Sequence, residues 1–320
     1  QGEPGEAVPP HEGDCMKKDF LSILDMESDE LEGIIADAIR LKHLKSDGVA
    51  HEYLRGKNLG MIFEKASTRT RVSFEAGMSD LGGHALFLNP QDMQLGRGEE
   101  IRDTARVLSR YLDAVMIRAY SHATIEEFAR YSTIPVINGL SDRLHPCQVL
   151  ADIMTLRERF GDLRGLKLAW VGDGNNVCNT WILSTPLTGM EVVVASPPRY
   201  RPEDGVVERA RAAGGRVTIL TDPEEAVRDA DVLYTDIWVS MGDEHESTER
   251  LQAFQGYTID SRLLELAVPG APVMHCLPAH RGEEITDDVL EGPQSIVWDQ
   301  AENRLHAQKA LLVWLIRGGM

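Results

Sequence analysis

Short apolar runs alternate with helical patterns along most of this 320-residue chain, and that alternation limits the folds open to it. Residues 59–63, 85–88, 114–117 and 135–137 read as strands. Helical periods cover 28–45, a stretch from Ser67, and stretches near 99–112 and 125–131. A longer helical pattern runs from Pro146 to Phe160 and stops at Gly161. A second series follows, with strand-like runs at 166–171, 192–195, 217–220, 232–235, 273–276 and 296–298, and a closing helix over 302–316. Strands that alternate with helices pair in parallel through right-handed crossovers. The prediction is α/β: two doubly wound parallel-sheet domains joined by long interdomain helices. The expected boundaries are 16–148 and 149–300, with the C-terminal helix in 301–320 packing back near the first domain. The length suits two such domains, and the cleft between them is the default ligand site. Residues 1–15 hold mostly Gly, Pro, Glu and Asp and are expected to form a disordered leader without a signal-peptide core, Met16 reading as a natural start.

The segment after the first strand carries the strongest chemical signal. Ser67 is a good N-cap, and Ser67-Thr68-Arg69-Thr70-Arg71 crowds two guanidiniums into a helix start. Unpaired N–H groups, a positive dipole end and arginine forks suit a phosphate-like anion. An ordinary capped helix with solvated arginines is the competing reading. The net charge of −18 sharpens the choice. It argues against nucleic acid and anionic membranes as partners, and it means that any anion site needs a local basic cluster. Arg69, Arg71 and Arg118 are the candidates.

Other motifs lie at strand ends. Gly172-Asp173-Gly174-Asn175-Asn176 begins like a dinucleotide-binding turn, but Val177 stands where the third glycine belongs and no acid follows the next strand. The asparagines fit an amino-acid ligand better. His145 precedes Pro146, which fits the first position of a helix, and so hangs at the mouth of the cleft. Asp236 is placed to meet an ammonium. Three readings are open for Cys276: nucleophile, metal ligand or packed thiol. The four cysteines form no CxxC pair and fit a reducing compartment. There is no apolar run of about 18 residues, so no membrane span is expected. The 240–248 segment, rich in Gly and charge, reads as a mobile loop able to close over a ligand.

Taken together, Ser67-Thr68-Arg69-Thr70-Arg71, His145-Pro146-Cys147-Gln148, Asp236 with Ser240-Met241-Gly242, and His275-Cys276-Leu277-Pro278 resemble the aspartate/ornithine transcarbamylase family, and within it the ornithine-using branch. The resemblance covers about residues 17–318. It implies that 16–148 binds carbamoyl phosphate and 149–300 binds ornithine. The reaction would give L-citrulline and phosphate by direct attack, in arginine synthesis or in its breakdown. It implies no cofactor and no metal, and a cytoplasmic trimer or multiple of trimers with shared sites. Ser67, Thr68, Arg69 and Thr70 would hold the phosphate, while Arg118, His145 and Gln148 would hold the carbamoyl end with Arg304 near its oxygen. Gln94 would reach a neighbouring subunit's site. Leu140, Asn176, Asp236, Ser240 and Met241 would bind ornithine, Cys276 and Leu277 would serve both that side and carbamoyl phosphate, and Arg118, His145, Cys276, Asp236 and Arg304 would be the catalytic residues. Other acceptors (aspartate, N-acetylornithine, a diamine) and an NAD-dependent oxidoreductase on a similar fold are the rival readings.

Overall fold

The computed structural model describes residues 17–94, 97–239 and 244–320. Its first half runs α1 (Ser28–Ser46), β1 (Asn58–Phe63), α2 (Thr68–Asp80), β2 (His84–Leu88), α3 (Ile101–Leu108), β3 (Ala114–Arg118), α4 (His122–Tyr131), β4 (Val136–Leu140) and α5 (Pro146–Phe160). The second runs β5 (Lys167–Val171), α6 (Asn176–Thr188), β6 (Glu191–Ala195), α7 (Asp204–Ala212), β7 (Arg216–Leu220), α8 (Pro223–Val227) and β8 (Val232–Thr235). It ends with α9 (Ser247–Ala253), α10 (Ser261–Leu264), β9 (Val273–His275), α11 (Asp287–Leu290) and α12 (Val297–Arg317).

The strands form two sheets, ordered β2-β1-β3-β4 and β7-β6-β5-β8-β9. All pairings between these strands are parallel. In the first sheet the chain goes from β1 to β2 on one side, then returns to β3 on the other. In the second it goes from β5 to β6 on one side and returns to β8 on the other. Loops diverge at such reversals and leave a crevice beyond the strands' carboxyl ends. The β1/β3 crevice receives Ser67 and Arg118, and the β5/β8 crevice receives Asn175 and Asp236.

Helix α5 explains how the crevices come to face each other. Eleven of its residues, Pro146 to Leu156, are buried in an unbroken run. A helix buried on all sides needs packing partners all round, and α5 touches β4, α1, α6 and α12. The boundary expected at 148/149 falls inside this helix. Helix α12 packs on α1, α2 and α5, and buries polar Gln300, Asn303, Arg304, Gln308 and Lys309.

One reading of the sequence needs correction. Residues 296–298 are not a strand but the N-cap and first turn of α12, which starts five residues earlier than expected. Val273 makes one isolated bridge to Ser295, and pairing stops there. Val297 is buried and Trp298 is 55% exposed, a placement that the helical turn produces. Of the segment read as a mobile loop over 240–248, residues 240–243 lie outside the described residues, Glu244–Glu246 form a 3₁₀ turn and α9 begins at Ser247. Boundaries also moved, α3 being shorter than the 99–112 pattern and β9 ending at His275.

Candidate active site

The anion end is built first by α2. Ser67 is extended at φ −162°, and its Oγ accepts from the Thr70 N–H at 3.2 Å. No acidic residue occupies the first turn, so the dipole's positive end and the remaining N–H groups stay available. Register places Arg118, at the end of β3, beside Phe63 at the end of β1. Its guanidinium is buried and its Nε has no hydrogen-bond partner. Burial, then the charges of Arg304 and Arg69, pulls its pKa down to about 10. Three guanidiniums therefore converge from α2, β3 and α12, and the charges of Arg304 and Arg69 disfavour the charged form of Arg118, as Arg69 does that of Arg304. An anion between them would relieve that repulsion.

His145 caps α5 without a side-chain cap bond, and its own N–H donates to Thr180 Oγ1 at 2.9 Å. Burial, then Arg304 and Arg118, holds its pKa well below the usual histidine value. The ring is neutral at physiological pH and suits hydrogen bonding to a polarised carbonyl rather than charge transfer. Gln148 donates from Nε2 to Asp152 and accepts at Oε1 from Arg304 Nη1, at 2.9 and 2.6 Å. Arg304 also donates to Thr70 Oγ1 at 3.3 Å.

The other wall carries a carboxylate. Asp236 follows β8 and accepts from Asn175 Nδ2 at 2.7 Å and from the Ile237 N–H at 2.8 Å. The Cys276 thiol hydrogen-bonds it too; desolvation, then the Asp236 charge, pushes that thiol's pKa well above its ordinary value. A thiol held protonated is a poor nucleophile and a poor metal ligand. His275 is no help to either role, because Nε2 pairs with Glu284 at 3.0 Å and Nδ1 accepts from the Leu277 N–H at 2.8 Å. The thiol instead helps to orient Asp236. Alkylation of Cys276 by iodoacetamide at pH 8, followed by peptide mass spectrometry, is expected to run roughly tenfold or more slower than that of a free thiol. The rate should rise with pH, and Asp236→Asn should speed it. Leu277 adopts φ +57°, a left-handed conformation that costs a leucine about 1–2 kcal/mol and turns the chain sharply at the cleft wall.

These walls enclose a cavity of about 290 Å³. Ser67, Thr68, Arg69, Thr70, Arg118, His145, Gln148 and Arg304 line it together with Leu140, Asn176, Asp236, Cys276 and Leu277. Gln94 is exposed and lies away from this cavity. Ser240 and Met241 lie outside the described residues. Arg71 points elsewhere, 3.4 Å from Glu75 and stacked 3.9 Å over the Phe87 ring. Sequence reasoning missed Lys65, which lines the cavity with Nζ 4.6 Å over the Tyr120 ring. Asn175, read together with Asn176 as suiting an amino-acid ligand, caps α6 and holds Asp236 at once. The glycine turn before it serves packing: a Cβ at Gly174 would lie 2.1 Å from Pro202 N.

Comparison with known proteins agrees with this geometry. The model of the aspartate/ornithine carbamoyltransferase carbamoyl-P binding domain matches residues 18–158, and that of the Asp/Orn binding domain matches 164–315. Ornithine carbamoyltransferase of Methanoculleus marisnigri is 83% identical over 305 residues, covering 95% of this chain and 99% of that protein. That of Methanospirillum hungatei is 62% identical over 301 residues, covering 94% of this chain and 100% of that protein. The solved ornithine carbamoyltransferase of Pyrococcus furiosus superposes with a TM-score of 0.90 at 52% identity, covering 95% of this chain and 98% of that one.

Proposed function

The chain belongs to the aspartate/ornithine carbamoyltransferase family, and from that premise we propose how its cleft moves the carbamoyl group of carbamoyl phosphate onto the δ-amine of L-ornithine, giving L-citrulline and phosphate. The observation that carries the assignment of roles is the lining of one cavity, which brings together a capped helix N-terminus, three guanidiniums and the Asp236 carboxylate.

Ser67, Thr68, Arg69 and Thr70 hold the phosphate, and Arg69 neutralises the charge that grows on it as it leaves. Arg118, His145, Thr70 and Arg304 face the carbamoyl oxygen and stabilise the tetrahedral oxyanion. Gln148 accepts from the carbamoyl NH₂. Asp236 takes an ornithine ammonium, with Leu140, Asn176, Ser240 and Met241 completing that half. Ornithine's side-chain ammonium has an intrinsic pKa of about 10.4, like lysine's, and must lose a proton before attack. Desolvation beside three guanidiniums lowers that value. A phosphate oxygen takes the proton, since His145 is neutral but lies among the groups that polarise the carbonyl. Alignment of the two reactants supplies several kcal/mol more.

The acceptor is tested by citrulline formation. With carbamoyl phosphate saturating, ornithine should be carbamoylated at least 100-fold faster than putrescine, N-acetylornithine or aspartate. Comparable rates with aspartate would overturn the role given to Asp236.

We further propose a homo-oligomer with shared sites. Edge strand β2 leaves Leu86 and Phe87 exposed, and Val72 of α2 is 57% exposed. Gln94 lies six residues beyond that strand, after a 3₁₀ turn over Pro90–Asp92, so a subunit packed on this edge would receive it. A cytoplasmic setting is supported by the free thiols Cys147, Cys178 and Cys276. Among the described residues no helix is long and apolar enough to cross a membrane.

A further inference from the structure

Asp152 is fully buried on α5, one helical turn beyond Gln148, and four donors point at it. Gln148 Nε2 and Gln300 Nε2 donate to Oδ1 at 2.9 and 2.8 Å. The Tyr234 hydroxyl and Trp181 Nε1 donate to Oδ2 at 2.9 and 3.2 Å. Gln300 Nε2 also reaches the Tyr234 hydroxyl at 2.8 Å, which leaves the hydroxyl proton for Asp152. Only an ionised carboxylate accepts at both oxygens from four such partners. None of these donors except Gln148 lines the cavity.

A glutamine amide can turn over and exchange its oxygen for its nitrogen. Here it cannot do so without facing its oxygen to a carboxylate and its NH₂ to the Arg304 guanidinium. Both contacts would be repulsive. From this juxtaposition we infer that Asp152 is a positioning residue that fixes the Gln148 amide with its oxygen toward the carbamoyl pocket, and so makes the site choose a carbamoyl group over an acyl group of the same shape. The inference rests on the assignment of Gln148 to the carbamoyl half-site. That oxygen already accepts from Arg304 Nη1; a carbamoyl NH₂ donates to its second lone pair, whereas the methyl of acetyl phosphate leaves that lone pair unfilled. Forfeiting a hydrogen bond in a pocket closed to water is disfavoured.

The network reaches further on the other side. Gln300 Oε1 accepts from the His275 N–H at 3.0 Å, so the same carboxylate also steadies the strand end that carries Cys276 and Leu277. The charged and titratable groups facing Asp152 are Arg304 from α12, Tyr234 from β8 and Cys276 after β9. Burial, opposed by the hydrogen bonds from Gln148, Gln300 and Tyr234 and by the Arg304 charge, lifts the Asp152 pKa to about 6. Protonation below that value would put a hydroxyl donor where only donors point, and would release the amide.

The test compares binary dissociation constants of carbamoyl phosphate, acetyl phosphate and inorganic phosphate in the wild type, Asp152→Asn, Gln148→Ala and the double variant. Asp152→Asn should weaken carbamoyl phosphate roughly 10-fold or more, with acetyl phosphate and phosphate within about twofold of wild type. In the Gln148→Ala background the same substitution should change none of the three. Equal weakening of all three ligands, or an undiminished effect without Gln148, would reduce Asp152 to a structural residue. If Gln148→Ala alone leaves carbamoyl phosphate binding intact, it is the role of Gln148 that fails. Should Asp152→Asn not fold, the wild-type protein carries the test: the preference for carbamoyl over acetyl phosphate should fall as pH drops from 8 to 5, with a midpoint near 6. A preference flat across that range would overturn the inference.

Discussion

Arg69→Ala is expected to lower kcat/KM by roughly 10²–10³-fold, the range for removing a charge-stabilising group from a transition state. The melting temperature should not fall. Arg69 is half-buried, is bonded to no acid among the described residues, and adds to the charge that depresses the Arg118 and His145 pKa values. Its removal relieves repulsion in the empty site, so function is lost and stability is kept. Steady-state kinetics beside a thermal melt checks both halves. A near-normal rate would unseat the phosphate assignment, and a collapsed melt would make Arg69 a structural arginine.

Asp236→Asn is the second large effect. Ornithine KM should rise roughly 10–100-fold, the range for a hydrogen bond to a charged group, while carbamoyl phosphate binding stays near wild type. The amide would keep one acceptor but turn its NH₂ toward a donor, Asn175 Nδ2, the Ile237 N–H or the Cys276 thiol. The substituted side chain therefore loses its orientation as well as its charge. Initial rates with each substrate varied in turn separate the two half-sites, and an equal rise in both KM values would contradict the split.

Local geometry in the chain could be read wherever a short-range rule governs it. The Ser67 cap, Pro146 at the first position of α5, the Gly161 stop and the alternation of strands with helices are such cases. Residues 296–298 misled because three consecutive apolar residues carry no period, and the strand they would have joined is only three residues long. The Asp152 cluster was illegible for a different reason. Its members come from α5, α6, β8 and α12, and nothing in the local pattern of any one of them marks the others. Arg304 belongs with it: no spacing rule places a residue of the last helix against Thr70, and the family resemblance alone pointed there. Lys65 was in view, inside the opening motif, but its neighbours drew the chemistry away from it.

Helix α12 also sets a timetable. A chain is made from its N-terminus, and domains fold in that order as they emerge. The capped helix, Arg118 and Gln148 are all synthesised well before Arg304, which waits on the last of the described helices. Until that helix docks on α2 and α5, the Gln148 oxygen lacks its guanidinium and Thr70 lacks its donor. The catalyst is thus assembled only after α12 has left the ribosome, and a nascent subunit stays chemically silent until then.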